Sequence, residues 1–303
     1  MNKIVIIAGP TASGKTALGV EIAKILNSEI ISCDSMQIYK RMNIGTAKVT
    51  QAEAQGVIHH MIDVVEPSEQ FSVGEYAKVA EGYISDLIAN GKIPVVVGGT
   101  GLYLDAILYN MSFGGECDEK LRKQLFEELD SYGKEYMYEK LKKLDPQDAE
   151  KIHPNNTKRV LRALEIYYTT GDVKSQLLTK ERQLKYEPCM AVLNPDRELL
   201  YERINFRVDK MFDEGLQNEV EKLISEGVNF DCQSMQAIGY KEFKSYIDKE
   251  IDRSALIEKI KQDSRNYAKR QITWLKKYNF AKWFNPITQK QDCIDYIIKA
   301  VKE

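Results

Sequence analysis

Gly9-Pro10-Thr11-Ala12-Ser13-Gly14-Lys15-Thr16 satisfies the pattern G-x-x-x-x-G-K-[ST] at every defined position. Successive backbone N–H groups of such a loop point inward and form an anion nest at a helix N-terminus. Lys15 adds a positive charge for a terminal phosphate, and the Thr16 hydroxyl is placed to ligate Mg²⁺. Chance would produce the pattern in on the order of one per cent of chains this long, so a phosphate site is the expectation. The pattern does not fix the reaction. Two further groups could do chemistry. Asp34, in Cys33-Asp34-Ser35-Met36-Gln37, has a carboxylate able to hold a metal through water or to act as a base. The same residue types also serve as helix N-caps. In Gly98-Gly99-Thr100-Gly101, three glycines imply a close approach to the backbone, and Thr100 offers a hydroxyl there.

All three groups follow short apolar runs. Lys3–Ala8 reads as a strand buried on both faces, Glu29–Ser32 as a second, and Pro94–Val97 as another. Leu18, Ile22, Ile25 and Leu26 mark the helix after the phosphate loop, ended by Asn27-Ser28, and Gly91 closes a later helix. A further short strand is expected within Val57–Val64, around His59 and His60, which are expected to end it and make ordinary hydrogen bonds. Strand, glycine turn and helix in alternation predict a parallel α/β sheet flanked by helices, with ligands at the carboxyl ends of its strands. No apolar strand ends in an aspartate of the kind motor ATPases and GTPases carry, which favours a small-molecule kinase or another phosphate-handling enzyme.

After about Ser112 the chain turns charged, tyrosine-rich and helical in pattern. Leu121, Leu125 and Leu129 form one stripe and Val160, Leu161 and Leu164 another; Asp145-Pro146 reads as a helix start and Gly171 as a stop. This predicts a helical insertion over 113–187, within a core made of 1–112 and 188–303. The core resumes at the apolar run Cys189–Leu193 and continues mainly as helix, with a last edge strand expected at Ala281–Phe284.

The 303 residues are 43% hydrophobic and 29% charged, enough apolar material for a core, and no stretch approaches the ~20 apolar residues of a membrane span. The N-terminal segment has no signal-peptide pattern, so the cytoplasm is expected. Cys33, Cys117, Cys189, Cys232 and Cys293 stand far apart and are expected to be buried free thiols. The net charge of −2 hides an asymmetry. Between Ser254 and Trp283 eight basic residues face two acidic ones, a local +6 that leaves −8 for the rest. Such a stripe suits a phosphate backbone, and equally a solvated helix face.

Taken with three other blocks, these motifs are specific. GPTASGKT (Gly9–Thr16), DSMQIY (Asp34–Tyr39) and GGTGLY (Gly98–Tyr103) resemble the tRNA dimethylallyltransferase family, the bacterial isopentenyl transferases. So do Lys158–Glu165, Gln236–Lys241 and Ala268–Leu275, in the family's order along nearly the whole chain. The match is weaker between Cys117 and Asn155.

The resemblance implies transfer of a dimethylallyl group from dimethylallyl diphosphate to the exocyclic amine of the adenosine 3′ of the tRNA anticodon. Mg²⁺ is then the expected cofactor, tRNA and dimethylallyl diphosphate the partners, and a monomer the expected state, with no membrane partner. Gly9, Pro10, Thr11, Ala12, Ser13, Gly14, Lys15 and Thr16 would hold the diphosphate, with Thr16 on the metal. Asp34 would be the base, and Thr100 would hydrogen-bond near the amine or bridging oxygen, with Lys15 and Arg207 on the leaving group. Arg207 could otherwise be a surface residue paired with Asp209 or Glu202. Contacts to tRNA would come from Asp34, Ser35, Met36, Gln37, Thr100 and Arg122. The family blocks add Lys158, Arg159, Val160, Leu161 and Arg162, then Gln236, Ala237, Ile238, Gly239, Tyr240 and Lys241. The basic helix would add phosphate contacts. An ATP-dependent small-molecule or nucleoside kinase and an RNA-binding nucleotide switch remain the alternatives.

Overall fold

A computed structural model describes residues 1–111, 118–179 and 183–303. Cys117 and the expected boundary at 112/113 lie outside them. Strands are β1 (Lys3–Ala8), β2 (Ile30–Cys33), β3 (His59–His60), β4 (Val95–Gly98), β5 (Glu187–Leu193) and β6 (Lys282–Phe284). Helices α1 (Lys15–Ile25), α2 (Gln51–Ala54), α3 (Val73–Ala89) and α4 (Gly101–Leu108) precede α5 (Glu119–Leu144), α6 (Pro146–Ala149), α7 (Thr157–Thr170) and α8 (Lys174–Thr179). Then follow α9 (Arg197–Asp213), α10 (Leu216–Ser225), α11 (Phe243–Ile247), α12 (Arg253–Leu275) and α13 (Lys290–Lys302).

The chain divides into two compact units, Met1–Leu108 with Tyr186–Glu303, and Tyr109–Lys185. The first contains one parallel sheet in the order β3-β2-β4-β1-β5-β6. The central strands β2, β4 and β1 are short apolar runs because both faces are covered. Val5, Ile7, Val95 and Val97 pack with Leu18 and Ile22 of α1 and Ile294 and Ile297 of α13. On α3, Tyr76 donates its hydroxyl to Ser32 O (2.9 Å) and stacks on Tyr103 of α4 at 3.8 Å. Each fully buried isoleucine here contributes about 1.5–3 kcal/mol.

Register sets the site. Cys33, Gly98 and Ala8 are Cα partners across β2, β4 and β1, and Ala8 pairs on its other side with Val192 of β5. The residues that leave this row are Asp34, Gly99 and Gly9, so the three motifs emerge side by side at the carboxyl edge.

Two elements differ from the sequence expectation. The strand around the histidines is only two residues long, because Met61 and Asp63 take positive φ (63° and 55°) and turn the chain away. His60 Nε2 meets Glu29 Oε2 at 2.6 Å and its ring stacks on Tyr83, while His59 Nδ1 meets Val57 O at 2.9 Å. Of the described cysteines, Cys33, Cys189 and Cys293 are buried free thiols, but Cys232 is half-exposed.

In the second unit Leu125, Val160, Leu161 and Leu164 form a core with Met137 and Leu141, edged by Leu121 and Leu129. Asp145 caps α6 through Asp148 N–H with Pro146 in its first turn, and Gly171 (φ 76°) ends α7. Gly133 (φ 81°, ψ 171°) breaks α5 internally. Among the described residues no helix is long and apolar enough to cross a membrane.

Candidate active site

The phosphate loop leaves β1 and enters α1, with Gly14 at the helix N-cap. Lys15 folds back so that its ammonium donates to Pro10 O (3.2 Å). Although the residue as a whole is half-buried, its ammonium is densely surrounded by protein. This burial, reinforced by the Arg207 guanidinium, lowers the Lys15 pKa to about 8 against the opposing pull of Asp34 and Cys33. Thr16 is exposed in the first turn of α1. Ser13 Oγ is buried and has no hydrogen-bond partner among the described residues.

Asp34 follows β2 directly. Its Oδ1 accepts from Met36 N–H (2.9 Å), a local turn that fixes the carboxylate. Thr100 is tied to the same segment: its N–H donates to Cys33 O and its Oγ1 accepts from Ser35 N–H, both at 3.2 Å. The phenol of Tyr267 on α12 lies beside Thr100, and burial drives its pKa far up, with the Asp34 charge adding to it. Arg207, on α9, reaches the phosphate loop, where Nη1 donates to Thr11 Oγ1 at 3.3 Å. It is not a surface ion pair; Asp209 pairs with Lys261 (2.8 Å) instead. Burial lowers the Arg207 pKa, opposed by Glu53 and Asp34, while its intrinsic basicity keeps it charged.

Of these residues, Thr11, Asp34, Arg207 and Tyr267 border one cavity of about 280 Å³, while Lys15, Thr16 and Thr100 lie outside its lining. Thr11, Asp34 and Arg207 line one part; Ile204, Val208, Met211 and Ile260 form an apolar wall. Arg270 and Lys241 add positive charge. The arrangement can hold an anion beside an apolar group and present both to a carboxylate.

Of the expected RNA contacts, Ser35, Met36, Gln236, Ala237, Ile238, Gly239 and Lys241 also line the cavity. Gln37 lies beneath it, donating to Thr46 O and Ala47 O (3.2 Å each). Tyr240 is fully buried, its hydroxyl on Glu219. In the second unit, Lys158 and Arg159 are exposed, Arg122 and Arg162 pair with Glu165, and Val160 and Leu161 are core residues.

Sequence reasoning missed Tyr267 and Gln271 of α12 and Glu219 of α10, and it placed Arg270 in the basic helix without assigning it to the cavity. Gln271 is buried, its Oε1 accepting from Thr11 N–H (2.9 Å) and its Nε2 donating to Gly99 O (3.1 Å). A signal existed: on α12 the core-facing positions are Leu256, Ile260, Ala268, Gln271 and Leu275, so a glutamine occupies an apolar phase.

A parallel sheet with a phosphate loop after its first strand, opening on a cavity that also holds a carboxylate, places the chain among P-loop group-transfer enzymes. It matches the IPP transferase family over residues 37–278 and the Isopentenyl transferase family over residues 2–66. The chain belongs to the tRNA dimethylallyltransferase family. It is 49% identical over 314 aligned positions to the tRNA dimethylallyltransferase of Clostridioides difficile, with 100% of both chains covered. Identity is 51% over 287 positions to that of Thermoanaerobacter sp., covering 93% of this chain and 91% of the relative. Among solved structures, the tRNA isopentenylpyrophosphate transferase of Bacillus halodurans superposes with a TM-score of 0.74 at 42% identity, covering 100% and 97% of the two chains. A eukaryotic dimethylallyltransferase acting on tRNA gives 0.85 at 31% identity, covering 99% and 78%.

Proposed function

We propose that this chain transfers the dimethylallyl group of dimethylallyl diphosphate to the exocyclic amine of the adenosine 3′ of the anticodon. The observation that carries this is the convergence of Asp34, Thr11 and Arg207 on one apolar-walled cavity. The amine lone pair attacks the allylic carbon, the carbon–oxygen bond breaks, its electrons leave on the diphosphate, and an amine proton passes to Asp34. Asp34 Oδ1 is already held by Met36 N–H, which leaves the second oxygen for that proton. The loop N–H groups, Lys15 and Arg207 stabilise charge on the departing diphosphate, and Ser13 Oγ is a further donor available within the loop. Ile204, Val208, Met211 and Ile260 would hold the allylic group away from water.

Thr16 offers a hard oxygen donor of the kind Mg²⁺ prefers, exposed beside the phosphate loop, so the residue fits this ion. Bound there, Mg²⁺ would neutralise negative charge on the diphosphate. The target base must leave its stack to enter the cavity, and Gln236–Gly239 with Lys241 form the wall it would pass. Exposed Lys259, Lys269 and Arg270 of α12 are placed for backbone phosphates, and Arg122, Lys158, Arg159 and Arg162 are proposed as a second set. The kinase alternative has no support among the relatives.

The test is incubation with unmodified tRNA, Mg²⁺ and radiolabelled dimethylallyl diphosphate, followed by nucleoside analysis. Label on the adenosine beside the anticodon is the expected result. Absence of label together with ATP turnover would replace the proposal with a kinase.

A further inference from the structure

One face of α12 follows the Gly98–Gly101 turn residue by residue. Tyr267, Gln271 and Trp274 stand at i, i+4 and i+7. Tyr267 lies beside Thr100, and Gln271 donates to Gly99 O. The Trp274 ring occupies the space where a Gly101 side chain would start, 2.2 Å from an added Cβ. Just past the helix, Tyr278 donates to Asp105 on the same segment (2.7 Å). Of these four residues, Gln271 is the one that also hydrogen-bonds the phosphate loop, accepting from Thr11 N–H. Its amide therefore spans two backbones that leave neighbouring strands β1 and β4. An added Cβ on Gly99 would lie 2.3 Å from Gln271 Nε2 and 2.6 Å from Gly9 O, so there is no slack.

We propose that Gln271 is a positioning residue that sets the gap between the phosphate loop and the Thr100 turn. It thereby aligns the departing diphosphate with the hydroxyl and carboxylate that act on the other side of the breaking bond. The assignment rests on the prenyl-transfer reading for its chemistry, but its geometry stands without it. Gln271 touches backbone and no reacting atom, so it acts through Thr11 and Gly99. A side chain that only filled space would be replaceable by methionine. The amide is needed because one end must accept and the other donate at a fixed separation.

Gln271→Met keeps the volume and removes both hydrogen bonds, and Gln271→Glu keeps an acceptor for Thr11 but sets an oxygen against Gly99 O. With label transfer as readout, both variants are expected to lower kcat by about 10- to 100-fold, with KM for dimethylallyl diphosphate within about threefold of the parent's. A kcat within twofold of the parent's in both, after normalising for folded fraction, overturns the proposal. A readout independent of activity is amide hydrogen exchange. Peptides covering Gly9–Thr16 and Gly98–Gly101 are expected to exchange faster together in Gln271→Met while β5 is unchanged. Unchanged exchange in both loops overturns the proposal, even where the parent transfers no label. An inactive parent whose two loops still loosen together in the variant would sink the prenyl-transfer reading alone.

Discussion

The Tyr240 hydroxyl donates to Glu219 Oε1 over 2.6 Å, joining two walls of the cavity through one carboxylate. That carboxylate also accepts the backbone N–H groups of Asn43, Ile44 and Gly45, three in succession, at 2.8–3.2 Å. Gly45, Thr46 and Ala47 line the cavity on one side, and Gln236–Gly239 and Lys241 line it on another. Tyr240→Phe is expected to cost about 1.5–3 kcal/mol, the value of a hydrogen bond to a charged group, and Glu219→Ala about 3 kcal/mol or more. Urea denaturation checks both. A loss of tRNA affinity in folded Tyr240→Phe as large as that in Lys269→Ala would mean that Tyr240 contacts RNA after all.

Lys15 supplies a pH prediction. Its pKa of about 8 lies below the ordinary lysine value, so the free protein holds this side chain neutral above that pH. A bound diphosphate favours the charged form, so binding above pH 8 must take up a proton. Diphosphate affinity should fall as pH rises through about 8, and calorimetry in two buffers of different ionisation enthalpy should show the uptake. Lys15→Met should remove both effects. Between pH 8 and the ordinary lysine pKa the unfolded chain binds the extra proton, so the Lys15 contribution to stability rises with pH across that window. Affinity that stays flat from pH 7 to 9.5 in the parent would contradict the assignment.

Asp34→Asn retains an oxygen for Met36 N–H and removes the base. Single-turnover transfer should slow by about 10²- to 10⁴-fold, with equilibrium donor binding within a few-fold of the parent's. Equal loss of donor binding would move Asp34 from proton transfer to the metal or the loop.

The basic helix divides into two kinds of cation. Lys261 is only about a seventh exposed and pairs with Asp209 and Glu258, whereas Lys259 and Lys269 are exposed. Lys259→Ala with Lys269→Ala should weaken tRNA binding and flatten its dependence on log salt by about 1.5. Lys261→Ala should leave that slope unchanged. Filter binding across roughly 50 to 300 mM salt separates the two.

The parallel sheet, the phosphate loop, Asp34 and the Gly98–Gly101 turn were legible because each motif is contiguous and follows an apolar run. The extent of β3 was not, because left-handed residues at Met61 and Asp63 are set by the loop's own packing and leave no apolar period to read. Tyr240 stood in a family block as a contact, yet burial makes it a brace. Val160 and Leu161 are core for the same reason that made them visible as a stripe. Glu219 has no local signature and Gln271 only its apolar phase on α12, since their partners lie far away in the chain: Gly45 at a separation of 174 residues and Thr11 at 260.

The bond between Thr11 and Gln271 has a consequence for synthesis. A ribosome delivers the phosphate motif almost at once, but its brace follows 260 residues later. During most of translation the nascent chain carries a complete anion-binding motif that nothing yet holds in register with the Thr100 turn. Assembly of the site is thus coupled to docking of α12, a long-range closure of the kind that makes folding slow. Premature termination upstream of α12 would yield fragments with a recognisable phosphate loop and no aligned reaction centre.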